Sequence, residues 1–76
     1  MTNQELLEVI NNILTNSDKP IVKEISDSSN LRDDIGLDSL DLAELTVNIE
    51  VESGVDIFED GLVETIGEIK QKINNK

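Results

Sequence analysis

Apolar residues recur at helical spacing in three separate segments of the chain. In the first segment the spacing predicts a helix from about residue 3 to residue 15, with Thr2 or Asn3 as the N-cap. The apolar face of this helix consists of Leu6, Leu7, Ile10, Ile13 and Leu14. In the last segment the spacing predicts a helix over about residues 65–74, with an apolar face of Ile66, Ile69 and Ile73.

The central segment carries the clearest helix signals. Asp38 is a preferred N-cap residue, Asp41 places negative charge in the first turn, and Gly54 is a preferred stop. These signals predict a helix that is opened by Asp38 and ends at about Ser53.

This central helix has two apolar faces, because successive helical residues rotate by about 100°. The face predicted to meet the core consists of Leu42, Leu45 and Ile49. The nearly opposite face consists of Leu40, Val47 and Val51. A small bundle cannot bury both faces, so an apolar stripe bordered by carboxylates predicts a protein-docking surface. The alternative is that the preceding loop folds over the outer stripe and buries it.

The segment between the first two helices, residues 16–37, lacks a helical pattern, and Pro20 prevents an early restart. We expect a long ordered loop, which in a compact domain is usually functional. A short strand at residues 21–25 is the alternative, although no second β-patterned run exists to pair with it. A short fourth helix is predicted around residues 59–63.

These elements predict an all-α fold: a small bundle of three main helices plus a short fourth helix, with a long first loop. Seventy-six residues are enough for one domain, which we expect to span residues 1–76. The predicted core consists of Leu6, Ile10, Ile13, Leu42, Leu45, Ile49, Ile57, Ile66 and Ile69.

The formal charge of −11, from 17 acidic and 6 basic side chains, argues against nucleic acid and anionic membranes as partners. Basic protein surfaces are the natural complement. The longest apolar runs are two residues, too short to span a membrane, and no signal peptide is visible. We therefore expect a monomeric protein of the cytoplasm.

The chain has no histidine and no cysteine, which excludes Ser-His-Asp and Cys-His catalysis, disulfides and thiolate zinc sites. We expect no catalytic residue. Asp56, Asp60 and Gly61 fit three positions of a calcium-binding EF-hand loop, but Gly67 stands where that loop needs its bidentate glutamate. We therefore expect no metal site.

Residues 34–41 read Asp-Ile-Gly-Leu-Asp-Ser-Leu-Asp and place Ser39 at the start of the acidic helix, after a glycine-containing loop. The segment closely resembles the phosphopantetheine attachment motif of acyl carrier proteins. Chain length, acidity, the long first loop and the helix pattern extend the resemblance over essentially all 76 residues. The alternative for Ser39 is that it merely helps to cap the helix, since serine is a preferred cap residue.

The resemblance implies an acyl-carrier-like helical bundle that is not an enzyme. It implies that Ser39 is esterified with 4′-phosphopantetheine and that the arm carries acyl intermediates as thioesters in fatty acid, lipid or polyketide-type biosynthesis. The implied partners are a phosphopantetheinyl transferase and acyl-transferring or condensing enzymes with basic docking surfaces. The expected docking residues are Asp38, Leu40, Asp41, Glu44, Val47, Glu50 and Val51.

The chain departs from the family pattern at Val51, where an acidic residue is usual, at Ser53-Gly54, and at Phe58, where proline is frequent. These departures favour a specialised carrier outside the housekeeping fatty-acid pathway. Two alternatives remain open: an aminoacyl or peptidyl carrier protein, and an acidic adaptor without a prosthetic group.

A further hypothesis is that acyl chains retract between the second and last helices. The residues expected to line that path are Leu45, Ile49 and Ile66, whose presence ordinary packing explains equally well.

Overall fold

The computed structural model describes residues 2–59, 61 and 63–74. These residues form three α-helices: α1 (Asn3–Asn16), α2 (Ser39–Ser53) and α3 (Ile66–Asn74). The predicted all-α class and the three main helices are confirmed, with boundaries within a residue or so of those expected. No strand occurs in the described part of the chain, so the alternative of a strand at residues 21–25 is wrong.

The helices begin and end at residues whose chemistry favours those boundaries. At α1, the Thr2 hydroxyl accepts a hydrogen bond from the Glu5 N–H (3.1 Å), and the Glu5 carboxylate accepts one from the Thr2 N–H (2.9 Å). This reciprocal pair satisfies two N–H groups that the helix itself leaves without partners. At the C-terminal end of α2, Gly54 adopts a left-handed conformation with φ 74°, which glycine accommodates without steric cost.

The core is aliphatic and is assembled from all three helices and the segments between them. The buried apolar residues are Leu6, Ile10, Ile13, Leu14, Leu31, Ile35, Leu37, Leu45, Ile49, Ile57, Val63, Ile66 and Ile69. The prediction that Leu42 belongs to this set is wrong. Leu42 is half-buried and packs against the edge of the core, where it lines a surface groove.

The predicted short fourth helix includes Asp60 and Leu62, which lie outside the described residues. Before them, the Glu59 N–H donates to the Asp56 carbonyl (3.2 Å), and residues 57–59 form a turn. Buried Ile57 anchors this turn to the core.

Residues 17–38 connect α1 to α2 through turns and bends that specific contacts hold against the helices. The side-chain amide of Asn11 on α1 donates to the Val22 carbonyl (2.9 Å) and accepts from the Val22 N–H (2.9 Å). Further along, Leu31, Ile35 and Leu37 are buried. The connection is thus fixed both by polar pairing and by apolar side chains.

The start of α3 is capped by this same connection. The Asp27 carbonyl accepts from the Gly67 N–H (2.8 Å), and the Ser29 carbonyl accepts from the Ile66 N–H (3.1 Å). An antiparallel bridge pairs Asn30 with Thr65. Backbone carbonyls therefore satisfy the first N–H groups of α3, which a helix leaves without internal partners.

Replacing Gly67 with alanine is expected to destabilise the protein by about 1 kcal/mol, although alanine favours helices. A Cβ at this position would lie 3.0 Å from the Asp27 carbonyl oxygen and 3.2 Å from the Asp27 Cβ, so the loop would have to move away from α3. Urea denaturation checks this, with Gln71→Ala, at an exposed position of the same helix, as the control. A stability gain in Gly67→Ala equal to or above that of the control would contradict the close approach.

Candidate functional site

Ser39 is the first residue of α2, and its side chain is exposed. The residues before it fix this placement: Leu37 is buried, and Gly36 turns the chain with φ 95°, a conformation that L side chains rarely adopt. The Ser39 hydroxyl oxygen accepts a hydrogen bond from the guanidinium of Arg32 (2.9 Å). Because the side chain is exposed, the hydroxyl is accessible from solvent.

The N-cap of α2 is supplied by Asp38. Its carboxylate accepts from the Asp41 N–H (3.0 Å), and the Asp41 carboxylate accepts from the Asp38 N–H (3.2 Å). Ser39 therefore does not cap the helix, and the capping alternative considered from the sequence is wrong. Among the hydrogen bonds of the described residues, the one that the Ser39 hydroxyl makes is to Arg32 and not to the first turn of α2.

Asp41 is buried, with only 2% of its surface exposed, so the expectation that it presents its charge to partner proteins is wrong. Its carboxylate accepts hydrogen bonds from the Ser17 hydroxyl and from the Lys19 ammonium, both in the segment that follows α1. These long-range contacts cover a side chain that a helical projection places at the surface. Asp41 thus ties the α1–α2 connection to the start of α2.

The charges of this cluster stabilise one another. Burial alone would raise the pKa of Asp41, but hydrogen bonds from Lys19, Ser17 and the Asp38 N–H lower it to about 2. The pKa of Asp38 is lowered by the hydrogen bond from the Asp41 N–H and by Lys19. The pKa of Lys19 is raised by its hydrogen bonds to Asp41 and Asp38. At neutral pH all three groups are therefore charged.

The outer stripe of α2 is exposed to solvent. Leu40, Val47 and Val51 are 82%, 62% and 79% exposed, so the preceding loop does not cover them and that alternative is wrong. The acidic residues Asp38, Glu44 and Glu50, which were expected as docking residues, are also exposed. The structure thus leaves six of the seven predicted docking residues at the surface.

Beside Ser39 lies an open groove of about 620 Å³ that the sequence did not predict. The described residues that line it are Asn30, Arg32, Asp33, Ser39, Leu42, Ala43, Phe58, Val63 and Glu64. The residues expected along an acyl retraction path, Leu45, Ile49 and Ile66, are fully buried, and none lines this groove. In the described part of the protein this groove therefore adjoins Ser39 and not the centre of the core.

Two other features bear on what the surface can bind. No group of three or more acidic side chains within residues 2–59, 61 and 63–74 is arranged to hold a metal ion. Asp60 of the weak EF-hand match lies outside those residues. Across the same ranges, no helix has the length and apolar character needed to cross a membrane.

Comparison with protein families identifies the class of protein to which this fold and site belong. The family model described as "Phosphopantetheine attachment site" matches residues 4–73, nearly the whole chain. An exposed serine at the start of an acidic helix, within a three-helix fold and this family, defines a small helical domain that bears a phosphopantetheine group.

The chain is also 33% identical over 73 residues to a protein named "Acyl carrier protein" from Saccharopolyspora erythraea, covering 93% of this chain and 77% of that relative. The chain belongs to the acyl carrier protein family. Its cofactor is 4′-phosphopantetheine, and it is a carrier protein for acyl intermediates. Members of this family are non-enzymatic carriers that interact with phosphopantetheinyl transferases and biosynthetic enzymes.

The residues around Ser39 fit this cofactor. The exposed hydroxyl has the chemistry needed to form a phosphate ester, and the Arg32 guanidinium provides positive charge where a phosphodiester would carry negative charge. The adjoining groove exposes both polar and apolar side chains, which suits a pantetheine chain of alternating amide and methylene groups. The arm supplies a terminal thiol to which acyl groups are joined as thioesters.

Proposed function

We propose that Ser39 is the attachment residue and that the protein carries acyl groups on its phosphopantetheine arm in fatty acid, lipid or polyketide-type biosynthesis. The observation that carries the proposal is that the Ser39 hydroxyl is exposed at the start of α2. Asp38, and not Ser39, caps this helix. The formal charge of −11 opposes self-association, so residues 1–76 act as a single, monomeric carrier domain.

The loading step requires only a hydroxyl from this chain. The Ser39 oxygen loses its proton and forms a bond to the phosphorus of phosphopantetheine, while the phosphoanhydride bond of coenzyme A breaks and adenosine bisphosphate leaves. In this proposal the transferase supplies the general base and the Mg²⁺ ion. The chain then acts as the substrate of the loading reaction and not as its catalyst.

The exposed stripe of α2 supports docking of the transferase and of acyl-transferring or condensing enzymes. Leu40 follows the attachment residue directly, and Val47 and Val51 continue the exposed apolar surface along the helix. Exposed Asp38, Glu44 and Glu50 favour partners with a basic rim, whose attraction accelerates encounter and orients the complex. A small apolar contact with charged borders gives transient binding, which a carrier needs in order to pass its cargo on.

Mapping the modification tests the proposed attachment residue. The protein is incubated with a broad-specificity phosphopantetheinyl transferase, coenzyme A and Mg²⁺, and is then digested and sequenced by tandem mass spectrometry. We expect one phosphopantetheine group per chain, on the peptide that contains Ser39. A chain that stays unmodified with several such enzymes would support an acidic adaptor, and modification of another serine would refute the assignment.

Replacing Val47 with alanine is expected to lower the kcat/KM of transferase loading roughly fivefold, because it removes about 1 kcal/mol of apolar contact. The matched control is Ile21→Ala, since Ile21 is 61% exposed and Val47 is 62% exposed, but Ile21 lies outside α2. Initial rates of loading at several protein concentrations provide the measurement. Equal effects of the two substitutions would argue against a docking role for the outer stripe.

A further inference from the structure

Arg32 is the only arginine of the chain, and it lies beside the attachment residue. Its guanidinium donates to the Ser39 hydroxyl oxygen (2.9 Å), and both residues line the groove. Its backbone is anchored, because the Arg32 N–H donates to the Asn30 side-chain oxygen (2.9 Å) and the adjacent Leu31 is fully buried. The cation is therefore held close to Ser39 by a fixed segment of the α1–α2 connection.

The surroundings of Ser39 are otherwise acidic. Asp38 precedes it, and Asp33 and Glu64 line the same groove. The nearby cation Lys19 is engaged by Asp38 and by buried Asp41. Attachment of the arm adds a phosphodiester anion to this oxygen, which neighbouring carboxylates repel. Arg32 is the side chain already placed to oppose that repulsion.

Esterification also changes what the Ser39 oxygen can do. A hydroxyl oxygen accepts a hydrogen bond from Arg32 as a neutral group, whereas the phosphodiester offers two oxygens that share one negative charge and are attached through that same atom. The contact of the guanidinium with these oxygens gains a charge–charge attraction that the neutral hydroxyl does not provide. Loading therefore replaces a moderate contact of Arg32 with a stronger one a short distance away.

We propose that Arg32 binds the phosphodiester of the loaded arm and directs the arm along the groove towards Phe58. Arg32 is a positioning residue in this role, since it acts on the arm and not on the transferred acyl group. The proposal rests on Ser39 being the attachment residue. It assigns a function to a residue that the attachment motif, residues 34–41, does not include.

The chain offers two unambiguous nuclear magnetic resonance probes for the test. Arg32 gives the only arginine side-chain signal, and Phe58, the only aromatic residue, gives the only ring signals. Spectra are compared between the unmodified and phosphopantetheine-loaded protein at low salt. On loading we expect the Arg32 side-chain N–H signal to shift downfield and the arm's methyl groups to show nuclear Overhauser contacts to the Phe58 ring.

Three variants distinguish the effect of the charge at position 32 from the effect of removing a positive charge elsewhere in the connection. Arg32→Gln should lose the contacts between the arm and Phe58, Arg32→Lys should retain them in part, and Lys23→Gln, at an exposed position of the same connection, should leave them unchanged. Added salt should weaken the contacts in the wild type, because the interaction is electrostatic. Loss of the contacts in Lys23→Gln to the same degree as in Arg32→Gln would overturn the assignment.

The mass of the sample separates failure of this inference from failure of the proposed function. A protein that gains no phosphopantetheine refutes Ser39 as the attachment residue and, with it, the role of Arg32. A protein loaded on Ser39 whose Arg32 signal does not shift on loading, and whose contacts between the arm and Phe58 match those of Arg32→Gln, refutes the role of Arg32 alone.

Discussion

Replacing Ser39 with alanine is expected to abolish loading completely while leaving the fold intact. The change removes the oxygen proposed to form the bond to phosphorus, and no other residue of the motif at residues 34–41 carries a hydroxyl. Because Ser39 is exposed and Asp38 caps α2, the free energy of unfolding should change by no more than about 0.5 kcal/mol. Intact-protein mass spectrometry measures the loading, and urea denaturation measures the stability.

The matched control is Ser28→Ala, which removes an exposed hydroxyl from the α1–α2 connection. This variant should gain the same mass as the wild type at the same rate. A mass gain in the Ser39→Ala protein would show that another hydroxyl carries the arm. A large loss of stability in Ser39→Ala would instead show that the hydroxyl has a structural role that its exposure does not reveal.

The helices were predictable because their signals are local. Asp38 and Gly54 bound α2 by their own capping chemistry, and the spacing of Ile66, Ile69 and Ile73 defines α3. The exposure of Ser39 and of the outer stripe also follows from position along one helix. The three helices and the accessible serine could therefore be predicted from short-range patterns of the sequence.

The burial of Asp41 was not predictable in this way. A helical projection treats it as one more carboxylate on an acidic helix, yet its partners Ser17 and Lys19 lie 24 and 22 residues earlier in the chain. Only the path of the α1–α2 connection brings them together. The available signal was a lysine placed soon after α1 in a chain with few cations, which is too weak to name a partner.

The groove and the position of Arg32 beside Ser39 depend on the same long-range packing. The groove lies where residues 27–31 of the connection pair with residues 64–67 at the start of α3, bringing Arg32 and Phe58 to the side of α2 on which Leu42 lies. In the sequence Gly67 reads as a weak helix former. In the structure it is the residue that lets the Asp27 backbone approach α3.

Replacing Asp41 with asparagine is expected to destabilise the protein by about 1–3 kcal/mol at neutral pH, the usual cost of leaving buried polar groups without their partners. The neutral amide retains one accepting oxygen but loses the charge that holds the Lys19 ammonium. Glu44→Gln is the control, since it removes one negative charge from an exposed position of the same helix. Urea denaturation of both variants and of the wild type gives the free energies of unfolding.

The pH dependence of this difference identifies its cause. The pKa of Asp41 is about 2 in the folded protein and has an ordinary value of 3.8, so the unfolded state binds the proton more tightly. The stability contributed by the charged Asp41 is therefore fully present above the ordinary pKa and is lost as the pH falls through the folded pKa. The asparagine side chain does not titrate. The difference in the free energy of unfolding between wild type and Asp41→Asn should therefore narrow steadily from about pH 4 towards pH 2. A difference that stays constant across this range would assign the effect to shape and hydrogen bonding alone, because Asp38 titrates in both proteins and only the wild type has an ionisable side chain at position 41.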